Sequence, residues 1–426
     1  MDRIDLSSWI LHFVHDRNPE NNAALNINEG DESLAFPYHV DRDVNARFEH
    51  WEQIDEAAGL AEDDHAIVVL LKIIEDGHIR AGWSWRNAKP TIYGPRAACC
   101  FTEMPLYGLI EYAKMRAKNA VSTYAIGLLR DEFFFAGGRP AIYGLSTTHS
   151  EVPVPRRKIP FLDRWPRYLS PSCGIGKAEQ YRYVSTNLTG GKRIDWTFER
   201  EWRWADVQDK YSCPGLPIWL SEQDAFSKVM IIVPKDADTE MVLERLKELR
   251  DAGEHNFGHK YDASLLEKTF VISLEQLTNS LTKDDLKTIR LEDIPSKHLE
   301  VFSTPVASKA LVKSVRQALA EAHIIAEKAA TDYLKAVKKS EDGFIDGGCG
   351  FSDVVIYDAQ SDVVSALQQL GEVSIIGGVG YKVSSFGRHG ARSQNLSVIE
   401  AATKAAADYL NAKFTHVQFS IRSRLD

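Results

Sequence analysis

The stretch Trp9-Ile-Leu-His-Phe-Val14 is the first sustained apolar run of the chain. Its branched and aromatic residues and its length of six are typical of a buried strand. A second such run covers residues 97–101, and Val229–Val233 precedes a helical pattern over residues 238–250. Strands and helices in this irregular order predict a mixed α+β fold.

The composition is that of a folded protein. The chain has 426 residues, which is enough for two or three domains of ordinary size. Hydrophobic residues make up 44% and charged residues 26%, a balance that argues against global disorder. The net charge of -9 argues against a generally basic nucleic-acid binder but permits a local basic face.

Location and covalent cross-links are also constrained by the sequence. No apolar run reaches the roughly 18 residues needed to cross a bilayer, and the first residues lack the apolar core of a signal peptide. We therefore expect a soluble cytoplasmic protein with no membrane partner. The five cysteines are scattered and form no Cys-x-x-Cys pair, so neither a zinc site nor a disulfide framework is indicated.

A change of composition predicts two domains. Residues 281–306 are polar and contain prolines, which favours a linker. Residues 305–426 hold 14 Lys and Arg against 13 Asp and Glu, whereas the rest of the chain is strongly acidic. We predict a first domain over residues 1–280 and a small α/β domain over residues 307–426.

Two glutamates stand two residues apart in Phe198-Glu-Arg-Glu-Trp-Arg203. Because side chains repeat every two residues along a strand, we predict that Glu199 and Glu201 project from one face. Paired carboxylates can stabilise an oxocarbenium-like centre and deprotonate an attacking group, as glycosyl transfer requires. The alternative is an edge strand whose charges are solvated or paired with arginines.

Three further positions carry side chains suited to a nucleotide. His12 lies within the first strand, where it either hydrogen-bonds a ribose or diphosphate or serves as an ordinary core histidine. Thr102 ends the second strand, where it either faces a ligand or begins the next helix. Trp85 and Arg86 offer an aromatic face and a cation to a base or nicotinamide ring, or they belong to the core.

The order of these motifs resembles that of abortive-infection proteins of the AbiGi type. The resemblance covers residues 9–145 and the Glu-Trp-Arg segment. It rests on the His12 strand, Ile73-Ile-Glu-Asp-Gly77-His-Ile-Arg80, Cys100-Phe-Thr-Glu-Met-Pro-Leu106, Tyr124-Ala-Ile-Gly127, Gly138-Arg-Pro-Ala-Ile-Tyr143 and Glu199-Arg-Glu-Trp-Arg203. It implies a role in defence against phage, as an effector or as an antitoxin-like regulator.

The opening of the chain also resembles ADP-ribosyltransferases of the DarT type, although it has no Ser-Thr-Ser strand. This resemblance implies an ADP-ribosyltransferase-like fold of split sheets with helices, and NAD as the substrate. It gives His12 the NAD-ribose role, Thr102 the middle Ser/Thr-like role and Glu201 the catalytic role. Glu199 matches the Glu-x-Glu variant of arginine-type transferases.

The same resemblance gives the diphosphate to Arg80 or Arg86, and the acceptor of ADP-ribose is nucleic acid, protein or water. The tail resembles a small domain of phage-encoded proteins, through Cys349-Gly-Phe351 and Arg392-Ser-Gln-Asn395. Residues 307–426 are therefore expected to be a sensor or docking module for a phage-derived trigger or partner protein.

The sequence is also compatible with two other functions. The first domain is alternatively a non-catalytic antitoxin-like regulator or phage sensor. A third interpretation is a metal-dependent nuclease, in which Glu103, Glu199 and Glu201 surround Mg²⁺.

Overall fold

The computed structural model describes residues 7–17, 38, 45–48, 51, 60–61, 63–86, 89–117, 123–145, 151–152, 167–188, 193–303, 305–339, 345, 347–375, 380–383, 386 and 394–425. The chain divides into two compact units. The first unit comprises Met1–Leu243 and Gly253–Val301, and the second comprises Glu244–Ala252 and Phe302–Asp426. Both contain helices and strands, so the mixed α+β class is confirmed.

The first unit contains fifteen described strands. They are β1 (Trp9–Val14), β2 (His78–Arg80), β3 (Trp85–Arg86), β4 (Lys89–Pro90), β5 (Cys99–Thr102), β6 (Tyr124–Leu129), β7 (Arg139–Pro140), β8 (Ile142–Tyr143), β9 (Glu151–Val152), β10 (Tyr168–Leu169), β11 (Tyr183–Val184), β12 (Glu201–Trp204), β13 (Gly215–Pro217), β14 (Val229–Val233) and β15 (Thr269–Ser273). Its described helices are α1 (Ala66–Asp76), α2 (Leu106–Ala117), α3 (Arg130–Phe135), α4 (Asp236–Ala252, the end of which belongs to the second unit), α5 (Ala263–Glu267), α6 (Leu274–Ser280) and α7 (Lys283–Thr288).

Seven of these strands form the main sheet, in the order β15-β14-β6-β1-β5-β12-β7. Only the β14–β15 pair is parallel within this described sheet. Strand β1 pairs with β6 at six positions but with β5 at one, Leu11 opposite Thr102. The sheet is thus two halves, β15-β14-β6-β1 and β5-β12-β7, that meet at this one pair, which we call the sheet junction.

One face of the sheet packs against α2. Residues opposite each other in antiparallel strands share a face, so Leu11, Thr102 and Glu201 lie on one side of the sheet. Leu11 belongs to a core that includes Leu106, Leu109 and Ile110 of α2. We call this side the α2 face.

The segment predicted as a linker contributes to this core. Residues 281–301 belong to the first unit and include α7. Leu286, Leu291 and Ile294 are buried in the same core as α2. Thr282 and Asp285 form a capping box that starts α7, which explains how so polar a stretch begins a helix.

The second unit has its own antiparallel sheet. Its strands are β16 (Gly350–Ile356), β17 (Val373–Ile375), β18 (Tyr381–Val383) and β19 (Phe419–Leu425), in the order β17-β18-β16-β19. Its described helices are α8 (Lys309–Ala336), α9 (Asp362–Leu370) and α10 (Leu396–Lys413). They share a core with one face of the sheet, and buried alanines of α8 and α10 let these helices approach closely. No described helix of the protein is long and apolar enough to span a membrane.

Candidate functional site

The two glutamates of the carboxylate motif do not lie on one strand. Thr197–Glu199 forms a short 3-10 helix, started by Asp195, whose Oδ1 accepts hydrogen bonds from the Thr197 amide (3.2 Å) and hydroxyl (2.7 Å). Arg200 follows with φ of 46°, in the left-handed region, and β12 begins at Glu201. The prediction of a common strand face is therefore wrong, because Glu199 lies in the 3-10 helix and the strand begins only after Arg200.

Glu201 is clamped by an arginine of its own strand. Arg203 Nε lies 2.7 Å from Glu201 Oε1, and a second guanidinium nitrogen donates to Oε2 at 3.3 Å. The remaining terminal nitrogen of Arg203 donates to the carbonyls of Tyr181 (2.7 Å) and Tyr183 (3.0 Å). Both charged side chains are mostly buried, 11% and 5% exposed. The bidentate geometry fixes the orientation of the Glu201 carboxylate.

Thr102 connects the two glutamates. It pairs across the sheet with Glu201, and its hydroxyl donates to the carbonyl of Glu199. The structure therefore brings Thr102, Glu199 and Glu201 together at the end of β5 that lies at the sheet junction.

Two tyrosines that the sequence analysis did not single out complete this group. The hydroxyl of Tyr143 accepts a hydrogen bond from the Glu201 amide. Burial raises the pKa of Tyr143 to about 12, and the carboxylates of Glu201 and Glu199 act in the same direction. Burial also raises the pKa of Tyr112 on α2, again assisted by Glu199. Glu199, Glu201, Tyr112 and Tyr143 form what we call the carboxylate cluster.

An aromatic surface and a cation adjoin the cluster. The ring of Tyr112 stacks on Phe13 of β1 at 5.0 Å between centroids. The guanidinium of Arg116 lies 5.8 Å from the centroid of the Tyr112 ring. Its Nε is buried and finds no hydrogen-bond acceptor in the described part of the chain. Arg116 therefore places a cation beside the cluster.

His12 projects from the other side of the sheet. It is the neighbour of Leu11 on β1, and its ring lies 5.4 Å from that of Phe101. Its Nδ1 is 2.9 Å from the carbonyl of Cys100. Because a carbonyl only accepts, Nδ1 carries the proton, and burial lowers the pKa of the ring. His12 and Glu201 thus do not share a face.

The predicted diphosphate-binding arginines lie outside the carboxylate cluster or outside the described side chains. Arg80 on β2 donates to Asp76 at 3.3 Å. Trp85 and Arg86 form the two-residue strand β3, but their side chains fall outside the described part of the structure.

Asp76 belongs to a second group of titratable residues, which we call the tryptophan–histidine cluster. The rings of His78, His255 and His259 lie 4.7, 4.9 and 4.8 Å from that of Trp51. Burial lowers the pKa of His78 to about 4. Burial opposes ionisation of Asp76, but His255 and Arg80 hold its pKa well below the usual range.

Glu103, the third carboxylate of the nuclease interpretation, has other partners. One of its oxygens is 2.6 Å from Arg130, and the other accepts from the Trp202 indole at 3.2 Å. Trp202 alternates with Glu201 along β12 and so lies on the opposite face. Among the described residues, no group of three or more His, Cys, Asp or Glu side chains is arranged to hold a metal ion.

A surface cavity of about 590 Å³ lies beside α2, where it is lined by Glu111, Lys114, Met115 and Ala117. None of these residues was predicted to act, and none belongs to the carboxylate cluster.

In comparisons with known proteins, no family model, curated protein or solved structure matches the chain. The function is therefore argued from the geometry of the site.

Proposed function

We propose that the first unit is an ADP-ribosyltransferase-like domain that binds NAD and cleaves the bond between nicotinamide and its ribose. The observation that carries the proposal is the meeting of Thr102, Glu199 and Glu201 where the two halves of a split sheet join. The strand of Thr102 lies between those of His12 and Glu201 in the main sheet.

Glu201 is the residue that we assign to stabilise the reacting centre. When the C1′–N bond breaks, nicotinamide leaves with the electron pair and positive charge develops on the ribose. A fixed carboxylate beside that charge is worth a few kcal/mol, on the order of 10²–10³ in rate. A carboxylate has about four lone pairs that can accept hydrogen bonds, and Arg203 occupies one on each oxygen of Glu201. The remaining lone pairs can accept a hydrogen bond from a ribose hydroxyl.

Glu199 is assigned to the acceptor. Its carboxylate takes the proton of the attacking group as that group bonds to C1′. The acceptor is nucleic acid or protein in a transferase, and it is water in an NAD glycohydrolase. The turn at Arg200 separates the two carboxylates. This separation suits two carboxylates with different roles, at the ribose and at the acceptor, better than a pair that shares one proton.

The residues near the cluster suit the remaining parts of NAD. The stacked rings of Phe13 and Tyr112 offer an apolar surface to a nicotinamide or adenine ring. Arg116, whose guanidinium lies against the Tyr112 ring, is the cation that we assign to the diphosphate in place of Arg80.

A phage-defence effector is the biological role that we attach to this activity. In that role the enzyme works in the cytoplasm, and the tail at residues 307–426 docks a phage-derived trigger or partner protein. This part of the proposal rests on the resemblance in the short motifs.

A non-catalytic regulator is the second candidate, and two observations favour it. Both oxygens of Glu201 are already bound by Arg203, and His12 faces away from Glu201. A site in which these two residues never converge would bind a nucleotide or a partner without reacting.

The test combines thermal denaturation with an assay of nicotinamide release. We expect NAD to raise the melting temperature of the protein and free nicotinamide to accumulate. In Glu201→Gln, which keeps the size of the side chain, we expect release to slow by about 10²-fold while the fold is retained. Glu103→Gln is the matched control, since Glu103 is also held by an arginine but outside the cluster.

Equal rates in Glu201→Gln and the wild type would refute the catalytic assignment. Stabilisation by NAD without release of nicotinamide would favour the regulator. Stabilisation by Mg²⁺ alone would favour the nuclease.

A further inference from the structure

One face of the sheet of the second unit packs against helices, and the residues on its other face are more polar. Val354 and Ile356 of β16 are buried in the helical core, so the residues that alternate with them project to the other side. Phe351 and Asp353 are on this other side, opposite Arg424 and Arg422 of β19. We call this surface the β16–β19 face.

Positive charge predominates on the β16–β19 face. Arg422 and Arg424 are exposed, and Lys382 of β18 projects to the same side, since it pairs with Val355. Asp353 is the one carboxylate among the described residues of this face, and Lys382 lies 2.7 Å from it. One carboxylate against three cations leaves a net positive surface on a chain whose overall charge is -9.

Exposed aromatic rings lie beside these cations. Phe351 is 44% exposed, and Arg424 lies over its ring at 5.1 Å. Tyr357, directly after β16, is 45% exposed. Phe351 and Tyr357 are six positions apart, which is about 20 Å along an extended chain, and Val355 between them is buried. Phe351 therefore presents an accessible aromatic ring beside an arginine.

We propose that the β16–β19 face binds single-stranded nucleic acid. Every base has a π-face, so exposed rings such as Phe351 bind bases without regard to sequence. The cations on the neighbouring strands are placed to contact the phosphates that link the bases. This activity is independent of the NAD reaction proposed for the first unit.

The experiment measures fluorescence anisotropy of labelled 12-nucleotide oligomers with the full chain at 50 mM NaCl. The probes are oligo-dT, oligo-U and a DNA duplex of the same length. We expect saturable binding of at least one single strand, weaker binding of the duplex, and a loss of about tenfold when NaCl is raised to 200 mM. Comparison of oligo-dT with oligo-U identifies the sugar that is preferred.

Variants locate the surface. Phe351→Ala and the double change Arg422→Ala with Arg424→Ala are each expected to weaken binding by about tenfold. The matched controls lie on α8, where Ile324 and Arg316 are exposed, and Ile324→Ala and Arg316→Ala should bind as the wild type does. Circular dichroism confirms that each variant is folded.

Three results would overturn the proposal. The first is no binding of either single strand by the wild type. The second is binding that the controls weaken as much as the face variants do. The third is a combined result: poly-glutamate displaces the labelled oligomer as well as unlabelled oligomer does, and Phe351→Ala does not change binding. That result would show a surface that attracts any polyanion.

Discussion

The carboxylate cluster and the tryptophan–histidine cluster both concentrate titratable side chains in the first unit, but they differ in burial. His78, His255 and Asp76 are almost wholly buried, whereas Glu199, Tyr112 and Tyr143 are partly exposed and the Glu201 side chain is 11% exposed. Substrates can reach only groups near the surface. Burial shifts the pKa of His78 in one cluster and of Tyr143 in the other, so accessibility and not the size of a pKa shift distinguishes the two.

The largest effect is expected from Arg203→Ala in the carboxylate cluster. This change leaves Glu201 without its cation and the carbonyls of Tyr181 and Tyr183 without their donor. We expect a loss of about 4 kcal/mol in the free energy of unfolding, measured by urea denaturation. Arg182→Ala, at a more exposed pair, should cost less than about 1 kcal/mol. Equal losses of stability in Arg203→Ala and Arg182→Ala would show that burial of the Arg203–Glu201 pair contributes nothing.

Asp76→Ala tests the other cluster and is expected to cost about 3 kcal/mol by the same measurement. The carboxylate of Asp76 is 5% exposed and lies 3.1 Å from Lys72 and 3.3 Å from Arg80, which would lose their anion. Asp284→Ala is the control, because Asp284 is 92% exposed and its pair with Lys287 should contribute less than about 0.5 kcal/mol. A loss at Asp76 as small as at Asp284 would contradict the structural role of this cluster.

Acid should weaken the fold through His78. In the folded protein its pKa is about 4, whereas an unfolded histidine takes up a proton near pH 6.5. Stability is therefore complete above pH 6.5 and falls as the pH drops toward 4, by about 2 kcal/mol between pH 7 and pH 5. Urea denaturation across this range measures the slope, and His78→Gln should flatten it. If His78→Gln leaves the slope of stability against pH unchanged, the prediction is contradicted and another residue causes the pH dependence.

The smallest effect is expected from Tyr143→Phe, which removes the hydroxyl that accepts from the Glu201 amide. We expect a cost of about 1 kcal/mol in stability, since one hydrogen bond is lost and the ring is kept. Thermal denaturation measures it, and nicotinamide release should slow by less than tenfold if the hydroxyl only positions Glu201. A larger fall in rate with unchanged stability would move Tyr143 into the reaction itself.

Local patterns predicted many elements of the fold. Strands β1 and β14 have the predicted bounds, because each is an apolar run that begins after a polar residue and ends at a histidine or a proline. Helix α1 ends before Gly77, which adopts the left-handed conformation that its sequence suggested. Residues 281–306 were harder, since the leucines that pack there are widely spaced among charged residues and only the tertiary core shows their use.

The site was less predictable than the fold. The Glu-x-Glu spacing was visible, but the left-handed Arg200 that separates the carboxylates was not, because a non-glycine residue there depends on the surrounding turn. The face of His12 depends on the register of β1 against β5, which no local pattern specifies. Arg116 lies next to Tyr112 because both are on α2 four residues apart, a signal that the sequence did contain.

The sheet junction has a mechanical consequence. Neighbouring strands usually resist force through a ladder of hydrogen bonds that share the load. Here the two halves of the main sheet meet at the single pair Leu11–Thr102, against six pairs between β1 and β6. Under tension applied between β6 and β12, the sheet should part at Leu11 and Thr102 first, at a lower force than is needed to separate β1 from β6.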